Sequence, residues 1–410
     1  MRALTLSLSV FTFTVIGFGS CVTQATAADL APVKPIKLCA DLKGLDLSRS
    51  AAGPIRIHSA DEIKDGARSF CVVKGYVAPQ VTFEVRMPAD GWTQRYLQYG
   101  CGGYCGEINL GGSPNFRSSK GCAPVENQEM VVASSDLGHT RSGAFRPDGV
   151  WAIENPGAVV NFAYAGNQKM AQAAKALIRE YYGQGPRYSY FNGCSDGGRQ
   201  GLQEAQRFPE DFDGILASST TLDVVSTNTF FHAWNVRVNS RPDGSPILTA
   251  SKIPILAQAV LKACAGSSGL IEDPRACTFD VSTVVCPANS DGPSCLTAEQ
   301  ASVATKIWQG PTDEHGKQLF PGGMAYGSEL SWLGSMVPRE ESARNTLATS
   351  GDFQWSWDFP SFMSGLGEIT DITNQNMEFT KTSFDKLHKL QGLSTRRTPT
   401  SVNLPGAAAS

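Results

Sequence analysis

One pentapeptide, Gly193-Cys194-Ser195-Asp196-Gly197, limits what this chain can become more than any other stretch. A β-prone run, residues 188–192 (YSYFN), leads into it, and a helix-like segment, residues 198–207 (GRQGLQEAQR), leaves it. Strand, Gly-x-Ser-x-Gly and helix in direct succession demand a turn so sharp that the residues flanking the serine must be almost without side chains. Such a turn raises the Ser195 hydroxyl at the carboxyl end of a strand, above the positive end of a helix dipole, which is where a nucleophile belongs. A chain with 41 glycines meets the bare pattern by chance as well. The strand before and the helix after favour a nucleophile over an ordinary turn.

The neighbouring chain supplies a sheet to carry that turn. Residues 71–77, 81–87 and 95–99 read as strands bounded by Pro and Gly, and residues 129–134 as a buried strand ending at Asp136-Leu137-Gly138-His139. The third of these runs directly into Gly100-Cys101-Gly102-Gly103, a glycine cluster placed to offer a backbone amide to a developing negative charge. Residues 159–182 carry apolar residues at helical spacing, and residues 213–218 form the next strand. Alternation of β and α predicts an α/β fold with a mostly parallel sheet. After residue 220 the alternation stops, and residues 221–370 hold most of the tryptophans, four clustered cysteines and many Gly/Pro turns. This reads as an inserted lid. The alternating aromatics Phe353, Trp355, Trp357 and Phe359 either line a pocket or fill the lid's core. The expected division is therefore a leader at 1–27, a core at 28–220, a lid at 221–370 and an atypical, disordered tail at 371–410, polar and basic in composition.

At 410 residues two domains are the natural expectation. A net charge of -3 gives no reason to expect affinity for nucleic acid, and no internal stretch is apolar enough to span a bilayer. Met1-Arg2, the apolar run from Ala3 to Phe18 and the small residues Ala25 and Ala27 read as a secretory signal, so the protein is expected in the periplasm or outside the cell. Gly19-Ser20-Cys21 leaves lipoprotein processing at Cys21 as the other possibility. Ten of the eleven cysteines follow the leader, an even number in a compartment that permits disulfides. Zinc is the weaker alternative, because no C-x-x-C occurs and no histidine stands beside a cysteine.

The stretch GCSDGGRQGLQEAQRFPEDFDGI (193–215), with GCGGYCG at 100–106, DLGH at 136–139 and CLTAEQ at 295–300, resembles the tannase and feruloyl esterase group of α/β-hydrolases. The likeness covers residues 38–365. It implies an α/β-hydrolase fold with a large disulfide-containing lid, and an exported hydrolase of phenolic-acid esters that needs no cofactor. Ser195 would be the nucleophile. The amides of Asp196 and of Gly102 or Gly103 would form the oxyanion hole. Cys264 with Cys277, Cys286 with Cys295 and Cys39 with Cys71 are the candidate disulfides. In the family Cys194 bonds to a cysteine beside the catalytic histidine. Here it stands unpaired beside the nucleophile or finds one of Cys101, Cys105 and Cys122.

The family's acid and base come after the lid, and neither motif occurs here: none of His58, His139, His232, His315 or His388 precedes a cysteine. The last sheet strands are likewise missing from residues 380–410, so the expectation is a truncated or frameshifted member. His232, among aromatics, reads as a packed or substrate-contacting residue. His139 reads as a support for its turn, and His388 as part of a solvated helix face. The loop from Cys264 to Asp273 lacks the family's carboxylates, so no metal is expected. Two functions stand side by side: an esterase using Ser195, or an inactive relative that at most binds aromatic acids. The identity of the acid and the oligomeric state are not readable.

Overall fold

Val81, Phe83, Val85 and Met87 alternate with polar residues and are fully buried, which makes the strand Val81–Pro88 the spine of one side of the sheet. In the computed structural model, which describes residues 30–110, 122–141, 148–288, 290–339, 346–364 and 370–388, seven strands form a single sheet. They are β1 (Ile55–Asp65), β2 (Arg68–Val77), β3 (Val81–Pro88), β4 (Arg95–Tyr99), β5 (Val131–Ser135), β6 (Tyr188–Cys194) and β7 (Gly214–Ser218), in the order β1-β2-β3-β5-β4-β6-β7. The expected leader, Cys21 and residues 389–410 lie outside the described residues.

The sheet is mixed rather than mostly parallel. Strands β5, β4, β6 and β7 run parallel, whereas β1, β2, β3 and β5 pair antiparallel. The reason lies in the connections. Gly66 and Ala67 alone join β1 to β2, and only a few residues join β2 to β3, too short for the crossover a parallel pair needs. Among the described residues no strand pairs with the outer side of β7, and Leu216 on it is half exposed.

The helical run expected at 159–182 forms as Pro156–Val160, a wide turn at Asn161–Ala165, and helix α1 (Gly166–Tyr182). Met170, Ala171, Ala174, Leu177 and Ile178 of α1 are fully buried against the sheet. Gly183, at φ 78°, ends the helix in the left-handed conformation glycine adopts without penalty. Helix α2 (Asp196–Arg207) follows β6 directly.

Beyond β7 the described chain is helical. The helices α3 (His232–Val238), α4 (Ile253–Cys264) and α5 (Ala298–Gln309) surround a second core of Leu248, Ile253, Leu256, Val303, Ile307 and Trp332, and Trp355 of α6 (Gly351–Asp358) packs instead on the cluster of Tyr104, Phe162 and Val224. The disulfides Cys264–Cys277 and Cys286–Cys295 close short loops beside it, and Cys39–Cys71 ties the chain's start to β2. The change near residue 220 is one of architecture. The described residues from Pro32 onward cluster as one compact unit. No helix among the described residues is long and apolar enough to cross a membrane.

The expected tail is in part a structural element. Helix α7 (Lys381–His388) keeps Lys381 and Asp385 in solvent and turns Phe384 and Leu387 inward, the i, i+3 spacing of an amphipathic helix. Leu387 and Met377 are buried with Phe230, Ala233 and Leu319, and the Phe384 ring lies 5.2 Å from that of Phe230. Polar composition concealed these few apolar anchors. Leu387→Ala should therefore cost about 2–5 kcal/mol of unfolding free energy in urea. A change within about 0.5 kcal/mol would mean that α7 does not belong to the folded unit.

Candidate active site

Ser195 sits between β6 and α2 with φ 61° and ψ -120°, a conformation that costs a non-glycine residue on the order of 1–3 kcal/mol. Three glycines make it possible. A Cβ on Gly193 would fall 2.1 Å from the carbonyl oxygen of Gly197, and one on Gly198 would fall 2.6 Å from that of Ser218. One on Gly197 would press on the carbonyl of Cys101 at 3.1 Å. The Ser195 amide donates to Ser218 at 3.0 Å, and the Gly198 amide closes the first turn of α2 onto Ser195. The first amide of α2, that of Asp196, makes no backbone hydrogen bond among the described residues.

The glycine loop leaves the carboxyl end of β4, the strand beside β6, and is held against the elbow by buried polar contacts. Gln200 on α2 accepts from the Cys101 amide at 3.2 Å and donates to the Cys101 carbonyl at 3.1 Å. The same side chain donates to Asp196 at 2.7 Å. Arg199, 1% exposed, pairs with Asp196 at 2.6 Å and donates to the carbonyls of Ala163 and Phe162. Those carbonyls lie in the wide turn Asn161–Ala165, where the helical bonding pattern is interrupted. The disulfide Cys101–Cys105 closes the loop on itself, so neither cysteine is available to Cys194, whose thiol is free. Cys122 is also free, and exposed.

The end of β5 adds a third support. His139 Nε2 donates to the Tyr104 carbonyl at 2.7 Å, and the ring stacks on Trp151 at 3.7 Å. Burial pulls His139 down to about 4, so it braces the glycine loop as a neutral ring. Asp136 accepts from the amides of Thr82 and Gly138 through one oxygen, at 2.9 and 2.7 Å. Burial outweighs these bonds and pushes its carboxyl up to about 6.

Ser195 opens into a cavity of about 270 Å³ lined also by Gly103, Tyr104, Val224, His232 and Trp355. Of the two glycines that the sequence left open, Gly103 faces this space and Gly102 does not. Asp196 lines it as well. Residues 353–359 do not alternate as a strand would. Ser350 caps α6, which sends Trp355 to the cavity while Phe353 stacks on Trp357. The Tyr104 hydroxyl donates to the Trp355 carbonyl at 2.6 Å and fastens α6 to the glycine loop. The candidate disulfide cysteines 39, 71, 264, 277, 286 and 295 do not line the cavity.

One pair went unread in the sequence. His232 Nδ1 lies 3.1 Å from Oδ1 of Asp352 without the geometry of a hydrogen bond, and that fully buried carboxylate accepts from Ser335 Oγ at 2.6 Å and Asn235 Nδ2 at 2.8 Å. Burial opposes its charge, but the His232 ring and these donors prevail and hold the carboxyl below the usual carboxylate range. The aromatic residues around Asp352 drew attention away from it, and 120 positions separate it from its partner.

The two shifted groups beneath the loop act on stability with opposite signs. His139 is neutral when folded and would take a proton when unfolded, so acidification from its ordinary 6.5 towards 4 removes on the order of 3 kcal/mol. Asp136 takes up its proton first in the folded state, so the same acidification restores about 3 kcal/mol as pH falls from about 6 towards 3.8. Asp136→Asn keeps the accepting oxygen and loses the charge. It should be more stable than the parent by about 3 kcal/mol in urea at neutral pH, with the advantage gone near pH 4. An advantage that does not change with pH contradicts the assignment.

Comparison with known proteins agrees with this architecture. Residues 67–403 match the family model described as tannase and feruloyl esterase, a span that begins and ends later than the 38–365 of the sequence likeness. An uncharacterised esterase of Xanthomonas campestris pv. campestris is 32% identical over 333 residues, 77% of this chain and 54% of that protein. Feruloyl esterase B of Aspergillus niger is 28% identical over 269 residues, 62% of this chain and 48% of the fungal enzyme. The crystal structure of feruloyl esterase B from Aspergillus oryzae superposes with a TM-score of 0.67 at 19% identity, covering 87% of this chain and 70% of that one. The chain thus spans about half the length of the curated relatives it matches. It has the α/β-hydrolase fold and belongs to the tannase and feruloyl esterase family.

Proposed function

We propose that the chain is an exported serine carboxyl-ester hydrolase acting on small esters of aromatic, phenolic acids. Ser195 is the nucleophile, and the amides of Asp196 and Gly103 receive the oxyanion. The observation that carries this reading is the left-handed backbone of Ser195 between glycines that admit no Cβ, opening into a cavity shared with Gly103. In this reading the hydroxyl oxygen attacks the ester carbonyl and the carbonyl oxygen becomes negative between the two amides. Collapse then expels the alcohol and leaves an acyl-serine for water to cleave. Each amide contributes about 2.7–4 kcal/mol to the transition state.

The substrate class follows from the walls. Tyr104 and Trp355 set ring edges and faces about a small space, and Val224 adds an apolar side chain, which suits one aromatic acyl group. No metal or organic cofactor enters the chemistry. Export rests on the leader-like residues 1–27 and on four disulfides, which persist in oxidising compartments.

The second reading, an inactive relative that binds aromatic acids, has one observation in its favour. Among the described residues no imidazole or carboxylate is hydrogen-bonded to the Ser195 hydroxyl, and serine without a base is a poor nucleophile. Release of a chromogenic phenol from aromatic-acid esters separates the two. Turnover should be measurable for the parent chain and fall by at least about 10³-fold in Ser195→Ala. Equal, near-background rates in both proteins refute the esterase reading.

A further inference from the structure

A row of buried amides runs under the glycine loop, and the shape of the cavity does not account for it. Tyr96 and Gln98 stand two residues apart on one side of β4. The Tyr96 hydroxyl donates to Gln98 Oε1 at 2.8 Å, and Gln98 Nε2 donates to Oδ1 of Asn167, the second residue of α1, at 3.1 Å. Asn167 Nδ2 donates in turn to Gln200 Oε1 at 3.0 Å. All four side chains are buried, and none of them lines the Ser195 cavity. We propose that Asn167 is a positioning residue for ester cleavage: it fixes the Gln200 amide, and through it the glycine loop whose Gly103 amide receives the oxyanion. The inference rests on Ser195 being an ester-cleaving nucleophile with Gly103 in its oxyanion hole.

Three features support it. A side-chain amide turned over exchanges its oxygen and nitrogen, so its orientation has to come from its neighbours. Gln200 Oε1 accepts from the Cys101 amide and from Asn167 Nδ2, while Nε2 donates to the Cys101 carbonyl and to Asp196. Turned over, the group would set a donor against the Cys101 amide and an acceptor against a carboxylate. The second feature is the common direction of the bonds. Asp196, paired with Arg199, has only acceptors to offer, so Gln200 donates to it, Asn167 donates to Gln200, and Gln98 donates to Asn167. Bonds aligned head to tail strengthen one another, and burial pushes the Tyr96 phenol well up, so it stays a donor at their start. The third feature is the absence of slack. A Cβ on Gly100, where the loop leaves β4, would fall 3.0 Å from Gln200 Oε1. A displaced Gln200 therefore displaces the loop.

Asn167 is separable from the groups it serves. Gln200 holds the loop directly, whereas Asn167 bonds to Gln98 and Gln200 and reaches the loop only through the latter. Apolar side chains would fill the same space with no polar atoms to satisfy, so what the amides add over packing is direction. Direction matters most where charge develops. The Gly103 amide acts on the oxyanion of the transition state and not on the neutral ester, and a shift of about 1 Å in such a group costs about 10²-fold in rate. Loss of the Asn167 donor thus weakens the transition state while leaving the binding of substrate and product alone.

The test uses the full chain, with Asn167→Asp, Asn167→Leu and Ser195→Ala beside the parent, and urea unfolding to identify the folded variants. Three quantities are read: hydrolysis of a chromogenic phenolic ester, inhibition by a trifluoromethyl ketone of the same acyl shape, and inhibition by the free aromatic acid. The ketone forms a tetrahedral oxyanion on the serine, and the acid forms none. Both Asn167 variants should lower kcat by about 10–10²-fold with KM unchanged. The Ki of the ketone should rise by the same factor while that of the acid stays as in the parent. In the parent, labelled at asparagine with ¹⁵N, the Asn167 side-chain amide signals should shift when the ketone binds and stay in place with the acid. That last reading needs no variant to fold. Signals unmoved by the ketone overturn the proposal. So does a folded variant with the parent's kcat and ketone affinity, or one that loses ketone and acid alike, which is the mark of a deformed cavity. Those results leave the serine-esterase reading standing. Equal, near-background turnover in the parent and Ser195→Ala removes both.

Discussion

The ion pair between Asp196 and Arg199 holds the architecture of the site together. Both side chains are almost wholly removed from water, where an isolated charge costs several kcal/mol that attraction alone repays only when every donor is used. Here the donors are used. Arg199 spends its guanidinium on Asp196 and on two carbonyls of the wide turn before α1, and its plane lies 4.7 Å from the Phe162 ring. Asp196 in turn takes a second donor from Gln200, which grips the glycine loop. One buried charge therefore joins three separate segments: the elbow, the loop after β4 and the turn leading into α1. Withdrawing the loop or the turn leaves this buried network short of hydrogen-bond partners, so the segments are more stable together.

This coupling explains how a strained serine persists. The left-handed backbone at Ser195 is unfavourable by itself, and the packing that enforces it comes from glycines with no room for a side chain. The ion pair lies one residue further on and anchors the start of α2, while Ser218 at the end of β7 fixes the Ser195 amide. The turn is thus held from the helix and from the neighbouring strand at once. His139 and the Cys101–Cys105 bridge do the same for the loop opposite, which keeps the amides on both sides of the cavity in fixed relation.

The parts that were readable in the sequence are those whose cause is local. The strands at 81–87 and 95–99 announce themselves by alternation and bounding turns, and the elbow by glycines whose reason is a close approach within six residues. What escaped reading depends on distance along the chain. The antiparallel half of the sheet follows from short connections, which were visible but outweighed by the β-α alternation further on. Gly198 needs its missing side chain because of Ser218, twenty residues later, and Arg199 looks like any polar helix residue until the turn at 161–165 is seen beneath it. Asp352 shows no periodicity at all, because its meaning is His232. The ordered stretch before residue 389 was hidden by composition: Met377, Phe384 and Leu387 are few, but they fall where a helix can bury them together.

The His232 and Asp352 pair joins the helical region to the cavity beside Ser195. The family resemblance implies an acid and a base on strands beyond the lid, rigidly part of the sheet that carries the serine. Among the described residues the pair of His232 and Asp352 stands on α3 and α6, two short helices whose mutual placement depends on Asn235, Ser335 and the Tyr104 hydrogen bond to Trp355. Phe230, two residues before His232, packs under Phe384 of α7, so the stretch that looked like a loose tail braces the helix that bears the histidine. The placement of His232 and Trp355 in the Ser195 cavity is set by packing between helices and sheet, not by the sheet alone. The cavity's walls therefore depend on the helical region as well as on the strands.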